Sequence, residues 1–185
     1  NVIIDDYIDQ WDSCIMLYLP GTEGGNAVAD LLLGKENPCG KLSMSFPRAV
    51  GQCPIYYNHF NTGRPKKGPD DVFKGYCSNY IDCGNLPLYS FGHGLSYTAF
   101  AYSDLNVRDR KVSVQVKNTG AVSGAEVVQL YIAAPKGGFF RPVRELKGFE
   151  RVELEPGESK TVEFTLDDRS FAIWSEGWKI PGGTY

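Results

Sequence analysis

The spacing of hydrophobic positions changes near residue 97. Before that point, Cys14-Ile15-Met16-Leu17-Tyr18-Leu19 is an unbroken apolar run, the pattern of a strand buried on both faces, and it predicts such a strand. Pro20 and a group of glycines then turn the chain. From Asn26 the apolar residues Ala27, Val28, Leu31 and Leu32 recur at helical spacing, predicting a helix that stops at Gly34. Lys41-Leu42-Ser43-Met44-Ser45-Phe46 alternates apolar with polar and predicts a second strand ahead of Pro47. Strand, helix and strand in succession make an α/β rhythm.

After residue 97 the period is two. Val112, Val114 and Val116 face one way, and Ser113, Gln115 and Lys117 the other, until Asn118-Thr119-Gly120 ends the run. EVVQLYIA (residues 126–133), a segment around Phe149, Val152 and Leu154, and the alternation of Val162, Phe164 and Leu166 predict three more strands. The pairs Pro156-Gly157 and Pro181-Gly182 mark turns between them. This spacing predicts an all-β sandwich of immunoglobulin or fibronectin type III kind, and one closing edge strand is expected to be missing after Tyr185. The predicted fold is therefore an α/β sandwich-domain remnant over residues 1–96, ending in a long aromatic loop, followed by a fibronectin type III-like domain over 97–185.

That loop, residues 52–96, is irregular but rich in rings: Tyr56, Tyr57, Phe60, Phe73, Tyr76, Tyr80, Tyr89 and Phe91. So many aromatics argue against disorder and for a segment pinned by packing. Composition supports this, since 11 Tyr and 10 Phe are many for 185 residues. A net charge of -3 gives no basic footprint for nucleic acid or an anionic membrane, so neither is expected as a partner. The longest apolar run is far short of the ~20 residues that span a bilayer. The opening NVIIDDYIDQW has neither an initiator Met nor a signal-peptide pattern, and reads as a cut. Cys14, Cys39, Cys53, Cys77 and Cys83 are odd in number and fit no zinc or redox spacing, pointing to free thiols and a mildly reducing compartment; this leans to a cytoplasmic location and leaves a secreted or periplasmic one open.

Chemical motifs are scarce. Gly21-Thr22-Glu23-Gly24-Gly25-Asn26 fits neither the dinucleotide fingerprint nor the phosphate P-loop, and Glu23 would put a carboxylate where a phosphate must sit. The glycines read instead as a structural turn, with Gly24 and Gly25 allowing positive φ and close approach and Glu23 offsetting the helix dipole. His59 and His93 are the only histidines, and both read as hydrogen-bonded structural residues, so no metal is expected. There is no nucleophile elbow. Glu126, Glu145, Glu150 and Glu153 read as solvated strand faces.

Several phrases together resemble one family, the family-3 glycoside hydrolases of β-glucosidase and β-xylosidase type. They are PGTEGGNAVADLLLGKENPCGKLSMSFPRAVGQCPIYYNHFNTGRP, PLYSFGHGLSYTAFAYSDL, VKNTG, EVVQLYI, RPVRELKGFERVELEPGES and PGGTY. The resemblance covers nearly all of residues 11–185, departing where Cys39 and Ser90 stand in place of the commoner Ser and Pro. It implies the end of an α/β sandwich domain and most of a fibronectin-like domain, both following a barrel against which this part would pack. It implies an enzyme without cofactor, acting on oligosaccharides or on aryl and alkyl β-glycosides. Retaining hydrolysis needs two carboxyl groups roughly 5 to 5.5 Å apart. In the family these come from the barrel and from an earlier loop, and Glu23 matches a structural turn of the family, so no catalytic residue is expected in this chain and the chain alone is expected to be inactive. The alternative is a carbohydrate-binding or scaffold module whose rings between Tyr56 and Tyr97 stack on sugars.

Overall fold

The structure, a computed structural model, describes residues 3–65, 76–133, 135 and 140–185. They form two compact units, one of Asn1–Tyr57 with Arg64–Leu95 and one of Asn58–Gly63 with Ser96–Tyr185. Among the described residues no helix is long and apolar enough to cross a membrane.

The first unit contains the short helix α1 (Asp5–Ile8), the longer α2 (Gly24–Leu32) and a 3-10 turn at Val50–Gln52. The glycine loop opens α2, as the sequence predicts, but the roles of its glycines differ from the expectation. Positive φ falls on Gly21, at 71°, and neither Gly24 nor Gly25 adopts it. Gly24 is required for close approach, because a Cβ there would lie 2.6 Å from that of Pro20, whereas at Gly25 it would meet open space. Glu23 is the N-cap residue; its carboxylate accepts a hydrogen bond from Asn26 Nδ2 at 2.7 Å and stands at the positive end of the helix dipole. At the other end Gly34, with φ 70°, donates to Leu31 O at 3.0 Å while Lys35 N donates to Asp30 O at 2.9 Å. This is the Schellman arrangement that satisfies the last carbonyls of a helix.

Both strands predicted in this unit are corrected. Residues 14–19 form no strand and are exposed, Leu19 at 97%. A strand buried on both faces needs neighbours on each edge and each face, and among the described residues none lies alongside. Residues 41–46 also form no strand, although Phe46 makes a bridge with Tyr89. Leu42 exchanges backbone bonds with Gly92 and His93, and Phe46 with Leu88 and Tyr89. Between these pairs Phe91 N donates to Ser45 Oγ at 3.1 Å, so a side chain interrupts the backbone ladder.

The second unit is the predicted sandwich. Strands β1 (Phe100–Arg108), β2 (Lys111–Asn118), β3 (Gly124–Ala133), β4 (Arg144–Leu154) and β5 (Ser159–Thr165) form two antiparallel sheets, β1-β2-β5 and β3-β4. A short helix α3 (Asp168–Phe171) and a hairpin of β6 (Ile173–Trp174) and β7 (Trp178–Lys179) follow. The period-two valines make the core: Val116 and Val162 from one sheet pack with Val128 and Leu154 from the other. A second cluster joins Val112 and Leu166 to Ile132, with Phe171 and Tyr185 alongside.

Asn118 does more than end a strand. It is fully buried, and its Nδ2 donates to Val122 O at 2.9 Å and to Leu154 O at 3.0 Å. Its Oδ1 accepts from Thr98 Oγ1 at 2.7 Å and from Gly120 N at 3.0 Å. Its backbone N–H donates to Glu158 O and its carbonyl accepts from Gly157 N, each at 3.0 Å. Every donor and acceptor that an asparagine carries is thus in use. Gly120 must be glycine, since a Cβ would collide with Thr98 Oγ1. Glu155-Pro156-Gly157-Glu158 is a type II turn with Pro and Gly at its central positions, Gly157 φ 80° and Glu158 N donating to Glu155 O at 2.9 Å.

The Asn118→Ala variant should lose about 3 kcal/mol of stability, because it strands buried donors and acceptors on four partners. Asn118→Asp should lose at least as much at neutral pH, since a carboxylate oxygen would then face the carbonyls of Val122 and Leu154. Urea unfolding of the two variants checks this, and a loss within ~0.5 kcal/mol, typical of surface changes, would contradict it.

Candidate functional site

The ring-rich segment that sequence reasoning marks as the candidate site is fastened by polar side chains. Gln52 is 1% exposed, and its Nε2 donates to Gly84 O at 2.8 Å and to Leu86 O at 3.3 Å while Oε1 accepts from Arg48 N at 2.7 Å. Tyr80 Oη donates to Gln52 O at 3.3 Å. Asn85, also buried, accepts from Tyr80 N and donates to Asn79 Oδ1, both at 3.3 Å. Burial, followed by the neighbouring thiols of Cys83 and Cys53, pushes the Tyr80 phenol above its ordinary value. Burial likewise raises the Cys83 thiol, with Asp82 adding to the effect.

The rings divide into two groups. Tyr57 stacks on Phe91 with centroids 4.1 Å apart, and Tyr89 on the His93 ring at 4.9 Å. Tyr56, Phe60, Tyr76 and Tyr97 are exposed, and Phe73 lies outside the described residues. Phe60 belongs to the second unit, where it stacks on Phe140 at 4.4 Å and His59 O accepts from Val143 N at 2.9 Å. His59 Nδ1 lies 3.2 Å from Phe60 O. His93 carries backbone bonds to Ser90 and Leu42 on either side of its stacked ring. His93 is thus engaged in local packing, whereas His59 is exposed. Among the described residues no group of His, Cys, Asp or Glu is placed to hold a metal ion, and all five cysteines are free thiols.

One polar cluster escaped the sequence reading. Glu145, assigned there to a solvated strand face, is half-buried between Arg141, at 2.6 Å, and Lys147, at 3.1 Å. Arg141 is buried; it also donates to Phe171 O at 2.7 Å and lies over the Tyr185 ring. Burial raises the Glu145 carboxyl, but the hydrogen bonds from Arg141 and Lys147 outweigh it and leave the group below its usual value. Arg141 lies outside any strand, so period-two spacing could not flag the pair; the one signal was three basic residues, Arg141, Arg144 and Lys147, around Glu145 within RPVRELK. Glu126 also departs from the expected solvated face, since its carboxylate accepts from Tyr102 Oη at 2.9 Å. Glu150 and Glu153 are exposed, as expected. The carboxylates of Glu158 and Asp167 are held low as well, the first chiefly by the Glu155 backbone N–H and the second by Ser170.

Residues 1–97 match the glycosyl hydrolase family 3 C-terminal domain, and residues 126–185 the fibronectin type III-like domain. A periplasmic β-glucosidase of Salmonella typhimurium is 49% identical over 178 residues, which are 92% of this chain and 23% of that protein. Thermostable β-glucosidase B of Acetivibrio thermocellus is 43% identical over 97% of this chain and 25% of its own length. The crystal structure of a Listeria innocua β-glucosidase in complex with isofagomine superimposes with a TM-score of 0.87 at 41% identity, covering 94% of this chain and 25% of that one. The chain spans about a quarter of the length of these relatives.

Glu145→Gln should destabilise the chain at pH 7 by about 2 kcal/mol, because it leaves Arg141 buried without its counter-charge. A carboxyl held below its usual value of 4.5 stabilises the fold above that pH and ceases to as pH falls through the folded-state value. The gap between the parent chain and Glu145→Gln should therefore narrow from pH 7 to pH 3 in urea unfolding; a constant gap would contradict this.

Proposed function

Because the chain belongs to glycosyl hydrolase family 3, we propose that it is the C-terminal portion of a longer retaining β-glycosidase. That enzyme removes β-linked sugars from the non-reducing ends of oligosaccharides or from aryl and alkyl β-glycosides. The observation that carries the reading is likeness to β-glucosidases along nine-tenths or more of this chain but only about a quarter of theirs. The β-glucosidases among these relatives favour glucose as the sugar released, with xylose as the other candidate.

In this reading the chain is scaffold, an α/β remnant over about residues 1–96 followed by a fibronectin type III-like domain. Retaining hydrolysis requires one carboxyl kept protonated near neutral pH as the general acid. Glu145, Glu158 and Asp167 are displaced the opposite way, toward the ionised form, by hydrogen bonds that hold their own loops and strands. None of these three carboxyls suits the general acid, and the reading assigns both the nucleophile and the acid to segments outside this chain. Residues 15–19, apolar and exposed here, are covered by those segments, the barrel among them, in the longer protein.

The 185-residue chain is expected to show no turnover of aryl β-glucoside or aryl β-xyloside, while the longer protein that contains it hydrolyses at least one. Turnover by the chain at an appreciable fraction of the longer protein's rate would contradict the scaffold reading, and a longer protein inert on every β-glycoside would contradict the enzyme reading.

A further inference from the structure

The β6-β7 hairpin presents the two most exposed tryptophans of the chain, Trp174 at 67% and Trp178 at 54%. They are direct cross-strand partners, and their rings meet edge to face with centroids 5.2 Å apart. The same stretch of chain sends Phe171 and Tyr185 into the core cluster of the second unit, so the sandwich had apolar positions to fill here and left both indoles outside. Exposed rings held side by side in this way mark a binding surface more often than scattered exposed residues do.

The hairpin is also braced. The Arg169 guanidinium lies over the Trp178 ring, 3.1 Å from its centroid, and braces it from α3. Ser175 N donates to Gly177 O at 2.9 Å, and Glu176 and Gly177 take positive φ to close the turn. Rings fixed before binding lose little freedom when a ligand arrives. Among the described residues no cation lies over Trp174, which keeps most of its surface open. Around the two rings stand the polar groups of Arg169, Ser175, Glu176 and Lys179, all exposed.

We propose that this hairpin, with Trp174 as its open face, is a stacking site for the pyranose rings of a β-linked glucan chain; the inference rests on the sugar chemistry proposed above for the longer protein. A β-linked glucose unit carries its hydroxyls around the ring edge and C–H bonds on its faces. The flat apolar face fits an indole, and the edge hydroxyls meet a rim of charged and hydroxyl side chains, the amphipathic match that tryptophan is suited to make. A β-linked chain repeats that face along an extended ribbon, whereas an α-linked chain coils.

The test is native gel electrophoresis of the 185-residue chain through gels holding a soluble β-glucan, an α-glucan or no polysaccharide, with tryptophan fluorescence followed in parallel. The β-glucan should retard the chain and shift its fluorescence, the α-glucan should do neither, and Trp174→Ala should weaken retardation about tenfold, the upper end of what one aromatic contact contributes. Trp11→Ala, in the first unit, serves as the matched control and should be retarded like the parent. No retardation, equal retardation by both glucans, or retardation unchanged in Trp174→Ala would each overturn the proposal. So would a dimer in sedimentation that Trp174→Ala abolishes, which would assign the face to a second copy of the chain. Hydrolysis by the longer protein is a separate measurement, so either reading can fail without the other.

Discussion

A buried amide side chain must find partners for all of its polar atoms, and at Asn118 that requirement organises the second unit. Leaving such a group unpaired in an apolar core costs more than most single contacts contribute. Its six hydrogen bonds draw together the end of β2, the end of β4, the turns at 119–122 and 155–158, and Thr98 ahead of β1. The close approach of Thr98 leaves room only for glycine at 120. With the β2 end tied to the β4 end, the two sheets are fixed at the separation that lets Val116, Val128, Leu154 and Val162 interlock.

The opposite end of the β3-β4 sheet is closed by charge instead of an amide. Glu145 pairs across the sheet with Ile132, and the Arg141 that it neutralises reaches the Phe171 carbonyl and the Tyr185 ring. In the first unit Gln52 plays a part like that of Asn118, holding the backbone at Gly84 and Leu86 where, among the described residues, no sheet does so. In each place the buried polar groups are consumed in fastening. That is what the proposed scaffold role means physically, because a catalytic carboxyl or base must keep a proton position open to a substrate.

The sequence made the second unit legible and the first much less so. Val112, Val114, Val116, Val162, Phe164 and Leu166 carry their own period, and a one-residue slip would turn them all outward, so their strands could be read directly. β1 went unread because no residue after Phe100 on it is more than partly covered, and a register shift between Ser103 and Asn106 breaks its alternation. Residues 14–19 show the opposite failure: the pattern was strong, but burial depends on neighbours, and none is found among the described residues. The segment predicted as a strand over 41–46 makes one isolated bridge, and Phe91 N donates there to Ser45 Oγ and not to a backbone carbonyl. Of the candidate site, the packed aromatics were foreseeable as a class, but which rings stack and which stay open is set by long-range contacts. Arg141 with Glu145, and the Trp174–Trp178 pair, join residues through tertiary placement that no periodicity encodes.

The claim that these buried polar groups are structural, sealed and unavailable to a ligand is tested most directly by native-state hydrogen exchange in the second unit. If Asn118 closes the sandwich, its backbone and side-chain amide protons and the amide of Gly157 should exchange only through global unfolding of the unit, as slowly as Val116 in the core. Exchange at those sites as fast as in the exposed turn at Asp109 and Arg110 would mean that the polar centre opens to solvent on its own, and would contradict the account.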